Sequence, residues 1–244
     1  ERISGRHPGR GRPARLRQLA PSPIRRLTAR RLIGVLSLIA FAVLAASVYQ
    51  HPYFGWDLAV ARWLQRIPYL QTPMEIVSYF GYGPRPYVLT VLTALVLIAR
   101  RRRIEVAFLV ASAAVAGLLN QGVKVAIGRP RPSPALVTVI RHLTDFSFPS
   151  GHVMFFVSFF GFLFFLAYRE PGRSAIKAGV MILASVAILL VGASRVYLGA
   201  HWPSDVLGGY LLAIAWLAAV IEAYSHWTSR QVRSKTDQRG NAPR

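Results

Sequence analysis

Residues 194–205, SRVYLGAHWPSD, set an arginine, a histidine and a carboxylate within one short stretch of chain. His201 and Asp205 are four residues apart, and Pro203 between them is tolerated in the first turn of a helix, so both side chains are expected on one face of a starting helix. A carboxylate placed there can accept the proton of one ring nitrogen and leave the other free to attack an electrophile, which is the logic of an oriented nucleophile. The same spacing also describes an ordinary hydrogen-bonded His–Asp pair. What separates the two readings is whether other groups suited to one substrate accompany the pair.

Two further runs supply such groups: residues 124–132, KVAIGRPRP, and residues 149–152, PSGH. Lys124, Arg131 and Arg195 bring positive charge, and the planar fork of arginine matches phosphate oxygens in pairs. Ser150 and Gly151 stand where a helix would begin, so their backbone N–H groups and the helix dipole are expected to face an oxyanion. His152 and His201 exchange protons near neutral pH. Together these residues describe a phosphate pocket with a nucleophile and an acid. Plainer readings exist for each part. Basic residues at helix ends meet lipid headgroups, and PSGH is also a helix cap with a glycine turn. Two histidines and one aspartate offer few carboxylates to a hard cation, and the surrounding positive charge opposes one, so neither a metal nor another cofactor is expected.

The elements that must hold these runs are apolar. Of the 244 residues 53% are hydrophobic, yet the formal charge is +21. The Lys and Arg residues lie mostly outside long apolar blocks rather than interleaved with aromatics, which is a membrane pattern and not that of a nucleic-acid binder. The absence of cysteine excludes disulfides and thiolate metal sites. Six apolar segments, 32–49, 87–99, 106–123, 153–168, 178–193 and 206–224, define an all-α polytopic membrane protein with six transmembrane helices in one bundle. The first segment has the length of a retained helix, although Ala45, Ala46 and Ser47 would also suit signal-peptide cleavage. The second is short and follows the breakers Gly81, Gly83, Pro84 and Pro86. Between the first two, Val60, Trp63, Leu64 and Ile67 recur at helical spacing opposite Arg62, Gln65 and Arg66, as in a helix lying at the membrane interface. Ala113 and Gly117, and again Gly208 and Gly209, are small enough for helices to approach closely.

The expected organisation is a disordered basic cytoplasmic tail over 1–31, a transmembrane domain over 32–228 and a second basic cytoplasmic tail over 229–244. Twenty-two of the 30 Lys and Arg residues lie in 1–31, 100–103, 169–177 and after Ser229. Six crossings put all four regions on one side, which the positive-inside rule makes the cytoplasm. Loops 124–150 and 194–205 then share the opposite face.

Lys124-x6-Arg131-Pro132, Pro149-Ser150-Gly151-His152 and Ser194-Arg195-x5-His201-x3-Asp205 resemble the three-part signature of the type 2 phosphatidic acid phosphatase superfamily. The resemblance covers roughly residues 57–224. Of the two Arg-Pro pairs in the first run, the six-residue spacing selects Arg131 and leaves Arg129 as a supporting charge. The resemblance implies that His201 attacks phosphorus, that Asp205 fixes its tautomer and that His152 protonates the leaving group. Lys124, Arg131, Ser150, Gly151 and Arg195 would hold the phosphoryl oxygens, with no metal required. It further implies an integral membrane lipid phosphatase of a bacterial cytoplasmic membrane, acting at the outer face on undecaprenyl diphosphate, phosphatidic acid or phosphatidylglycerophosphate. A lipid A phosphatase or a lipid phosphotransferase would share every motif. Soluble haloperoxidases of the superfamily have no place for six apolar segments, and a non-catalytic lipid-binding protein would not keep every motif residue. Val153 stands where the family often has a small residue and is expected to narrow the pocket mouth. Arg141, His142 and Asp145, in the loop between the first two motifs, are candidates to select the headgroup.

Overall fold

The computed structural model describes residues 23–240; the expected tail up to residue 22 and the last four residues lie outside the described residues. Eight α-helices follow one another in the described chain, with no strand among the described residues: α1 Pro23–Gln50, α2 Gly55–Gln65, α3 Gln71–Tyr79, α4 Arg85–Ala99, α5 Arg103–Ile127, α6 Gly151–Arg169, α7 Ala175–Tyr197 and α8 Pro203–Gly240. The first helix starts ahead of the uncharged block and the last continues well past it, since arginine and lysine are good helix formers and extend a helix already nucleated by packing.

Five helices are long and apolar enough to cross a membrane: α1, α5, α6, α7 and α8. At about 1.5 Å per residue, the 15 residues of α4 reach roughly 22 Å, short of the ~30 Å hydrocarbon core. More than half of the apolar window of α6 is buried, against a third or less in the other four, so α6 is the centre of the bundle. It packs against α5, α7 and α8, while α1 lies along α8, α3 against α7 and α4 against α5. Phe156, Phe159, Phe162 and Phe165 carry the buried face of α6. The opposite situation holds outside, where Val91, Leu95, Ile182, Leu183 and Leu189 are exposed, a surface suited to lipid and not to water.

Helix α2 packs Leu58, Ala61 and Leu64 on the core, and its polar groups reach the loop ahead of α6 and the end of α7. Arg62 donates to the Leu136 carbonyl and Gln65 to the carbonyls of Thr138 and Tyr197, while Trp63 and Val60 stay exposed. Of the two small-residue pairs, Gly208 and Gly209 do allow close approach: a Cβ on Gly208 would lie 2.4 Å from the Phe148 ring, and one on Gly209 3.0 Å from the Ser150 carbonyl. Gly117 does not, because it faces outward and nothing lies within 4 Å of a Cβ built there. Spacing alone could not tell which helical face a glycine occupies.

Candidate active site

Four helix ends meet at one end of the bundle: the last turns of α5 and α7 and the first turns of α6 and α8. Helix α5 stops at Gly128, whose φ of 65° is left-handed and whose N–H caps the Lys124 carbonyl at 2.9 Å. The loop that follows returns across the end of α7, where the Ile140 N–H donates to the Leu198 carbonyl at 3.1 Å. Ser150 then caps α6, and Trp202 with Pro203 opens α8.

His201 lies in the turn before α8 and is almost wholly buried. Its Nδ1 donates to the Ser147 carbonyl at 2.8 Å, and the Asp205 carboxylate stands 3.6 Å from the same nitrogen. With the proton on Nδ1, Nε2 keeps its lone pair and faces Nη1 of Arg131 at 3.3 Å. Burial, followed by the charges of Arg131, Arg195 and Lys124, holds the His201 pKa well below its ordinary value. The ring is therefore neutral at neutral pH, as a nitrogen nucleophile has to be.

Asp205 has other obligations. As the third residue of α8 it accepts the N–H of Trp202 at 2.8 Å, closing the start of the helix, and it takes Nη1 of Arg129 at 2.5 Å. Asp57 does the same for α2: it accepts the Phe54 N–H at 3.0 Å and Nη2 of Arg129 at 3.0 Å. Ser204 completes the cluster, its N–H and hydroxyl reaching Asp57 at 2.8 and 2.7 Å. One arginine thus bridges the two acid-capped helix starts, with Arg129, Asp57 and Asp205 side chains all wholly buried. Arg129 ties α2 to α8.

On the other side of His201 the cations gather. Lys124 bonds to the Asp145 carboxylate and to the Phe146 carbonyl at 2.7 Å. Arg131 reaches the Ala200 carbonyl at 2.5 Å and the second Asp145 oxygen at 2.7 Å. Partial burial alone would raise the Asp145 pKa, but the hydrogen bond from Lys124 and the charges of Arg131 and Lys124 overcome it and bring the pKa to about 2. Asp145 is half exposed, so a carboxylate holds the two cations from the solvent side.

Arg195 is wholly buried on the last turn of α7. Its Nη1 meets Ser78 Oγ at 3.1 Å and the Tyr82 hydroxyl, whereas its Nε and Nη2 have no partner. Four more buried polar atoms lack partners: the hydroxyls of Ser150 and Ser158, Nε2 of His152 and Nε1 of Trp202. The His152 ring stands edge-on to Tyr82 at 4.5 Å. That approach depends on Gly81, because a Cβ there would lie 2.1 Å from the His152 ring. Unsatisfied buried polar groups are costly, about 1–3 kcal/mol each, and those of Arg195, Ser150 and His152 belong to residues of types that bind phosphate.

All eight residues singled out by spacing, His201, His152, Asp205, Lys124, Arg131, Ser150, Gly151 and Arg195, lie at this end of the bundle. One detail differs. The Ser150 N–H is taken by the Asp205 carbonyl at 3.0 Å, so the hydroxyl of Ser150, not its backbone, is its free donor. Gly151 is needed for space as well, since a Cβ would come 2.9 Å from Oδ1 of Asn120, whose amide donates to the Pro149 carbonyl. Val153 is wholly buried and packed on Gly209, so it does not narrow the pocket mouth. Asp57, Ser78, Tyr82 and Ser147 escaped the sequence reading; Asp57 left one trace, as one of only nine acidic residues in the chain. Among the described residues no group of three or more His, Asp or Glu is arranged to hold a metal ion.

Histidines, arginines and a lysine thus converge at one end of an all-helical bundle with five helices long and apolar enough to cross a membrane. The model of the PAP2 superfamily matches residues 105–229, and the chain belongs to that superfamily. It is similar to phosphatidylglycerophosphatase B of Bacillus subtilis, 33% identical over 71% of this chain and 86% of the relative. It is also similar to an undecaprenyl-diphosphatase of Sulfolobus acidocaldarius, 34% identical over 62% of this chain and 69% of that protein. Among solved structures, a transmembrane PAP2-type phosphatidylglycerolphosphate phosphatase from Bacillus subtilis superposes with a TM-score of 0.68 at 30% identity, covering 77% of this chain and 93% of the other. The protein is accordingly a membrane phosphatase, a hydrolase of lipid phosphates.

Proposed function

We propose that the protein hydrolyses a lipid phosphate or diphosphate through a phosphohistidine, without a metal. Nε2 of His201 attacks phosphorus while the bond to the lipid-side oxygen breaks, and His152 gives that oxygen its proton. Water then attacks the P–N bond, His152 takes the proton back, and inorganic phosphate leaves with His201 restored. Lys124, Arg131, Arg195 and Ser150 hold the phosphoryl oxygens as charge develops. Asp205 acts at one remove, by closing the start of α8 and standing near Nδ1. The reading is carried by one observation: the unpartnered buried atoms of Arg195, His152 and Ser150 accompany a neutral, oriented His201.

The substrate is drawn from the lipids that the relatives' names identify, phosphatidylglycerophosphate and undecaprenyl diphosphate, together with phosphatidic acid. In the membrane, α4 completes a sixth crossing with the turn before it and the snorkelling arginines 100–103 after it. Both termini then lie in the cytoplasm of a bacterial inner membrane, and the site opens at the outer face at headgroup level. Phosphate release by the purified protein in detergent, on these three lipids with excess EDTA, tests the reading. Release is expected to survive the chelator and to vanish in His201→Ala. Loss with the chelator contradicts the metal-free mechanism.

A further inference from the structure

Beside the phosphate-binding groups lies a cavity of about 500 Å³ that the mechanism above does not use. Glu75, Tyr79, Tyr82, Ile140 and Arg141 are among the residues lining it, and its volume is in the range of ligand sites. Tyr82 belongs to both places. Its hydroxyl meets Arg195 and its ring stands against His152, while the guanidinium of Arg141 lies 4.7 Å from the ring centroid. The Arg195 guanidinium is 4.8 Å from the same centroid, so the two guanidiniums are no more than 9.5 Å apart. Two phosphoryl groups of one molecule can bridge such a gap.

Arg141, like Arg195, holds no carboxylate. Lys124, Arg129 and Arg131 each hold a carboxylate, whereas among the described residues Arg141 has only the face of Tyr82. Its place in the loop is nonetheless fixed. The Ile140 N–H bonds to Leu198, the Thr138 N–H and carbonyl are held by Gln65, and the loop passes so close to α7 that a Cβ on Gly199 would strike the Thr138 carbonyl at 2.1 Å. Glu75 lines the same cavity and would repel an anion, so an anion there has to lie towards Arg141 and Tyr82. A positioned guanidinium without a carboxylate, next to a phosphate pocket, is an open anion site.

We infer that Arg141, lying against Tyr82, forms a second anion subsite that takes the phosphoryl group adjoining the scissile one. In a lipid diphosphate that group is the lipid-side phosphate; in phosphatidylglycerophosphate it is the phosphodiester. Phosphatidic acid has no such group. The inference rests on the phosphatase reading for its substrates but not for its binding test.

Calorimetric titration of the full-length protein in detergent with methylenediphosphonate and with inorganic phosphate reads the subsite without turnover. The wild type is expected to prefer the diphosphonate, Arg141→Gln to lose about tenfold of that preference and Arg141→Lys to retain part of it. In turnover, Arg141→Gln is expected to raise KM for two-anion lipids about tenfold more than for phosphatidic acid. A rise confined to the diphosphate, or to phosphatidylglycerophosphate, would assign the subsite to that lipid. Equal weakening of phosphate and diphosphonate, or none of either, overturns the subsite. If the wild type turned over no lipid, the phosphatase reading would fall and the titration would still decide Arg141.

Discussion

The two ends of the bundle use charge in opposite ways. At the basic end, Arg31 pairs with Glu222, and Arg102 pairs with Glu105 at 3.1 Å and with Glu170. The Tyr224 hydroxyl adds a bond to Glu105 at 3.0 Å, and Lys177 reaches the Glu170 carbonyl at 2.8 Å. These groups are partly exposed, and each of the three carboxylates has a partner, while Arg100, Arg101 and Arg103 are exposed. At the other end, Asp57, Arg129 and Asp205 have wholly buried side chains, and Arg195 is buried with two nitrogens unpartnered. Exposed pairs contribute about 0–1 kcal/mol, while an unpaired buried charge costs several. The first arrangement suits a surface that meets solvent and lipid headgroups. The second is expensive unless a substrate completes it, and that asymmetry marks which end does chemistry.

The comparison can be broken from either side, and the largest effect belongs to the nucleophile. His201→Ala is expected to lower kcat by roughly 10⁵, measured by phosphate release, because no other side chain takes over its step. His152→Ala is expected to cost ~10² to 10⁴ on an alkyl lipid phosphate and much less on a substrate with a good leaving group such as an aryl phosphate. Equal losses on both substrates would remove His152 from the role of acid. Asp57→Asn leaves Arg129 with Asp205 as its one carboxylate and Ser204 without a charged acceptor, so the midpoint of thermal unfolding in detergent should fall by the equivalent of about 1–3 kcal/mol. The pH dependence sharpens the comparison further. The depressed pKa of His201 keeps its nucleophilic form as pH falls, so the acid limb of kcat/KM assigned to it should lie well below the ordinary histidine value of about 6.5. The smallest effect is expected at the basic end, where Arg102→Gln should change stability by no more than about 1 kcal/mol. A larger loss there, or none at Asp57, would dissolve the contrast between the ends.

The candidate site residues were legible because their signature is local. Lys124 and Arg131, Ser150 to His152, and Arg195 to Asp205 each fall at a helix end or across the short turn between two helices, where spacing translates directly into geometry. The apolar blocks were legible for the same reason, although their ends were not, because charged helix formers continue α1 and α8 beyond the hydrophobic stretch. The support behind the site was hidden by distance along the chain. Asp57 meets Arg129 across 72 positions, and Ser78 meets Arg195 across 117. The acceptor for His201 is the backbone carbonyl of Ser147, an atom that every residue type carries. The motif spacing selected Arg131 over Arg129, but only the fold shows that Arg129 braces two helix starts.

The central claim, a covalent bond between phosphorus and His201, is tested most directly by trapping it. The protein in detergent would be mixed with lipid carrying a radiolabelled scissile phosphate, quenched in alkali within one turnover and analysed for label on protein. The account predicts a phosphoprotein stable to alkali and labile to acid, with the label on the peptide containing His201, formed by the wild type and absent from His201→Ala. Phosphate release at full rate by the wild type with no labelled protein at any quench time, together with sustained release by His201→Ala, would contradict it.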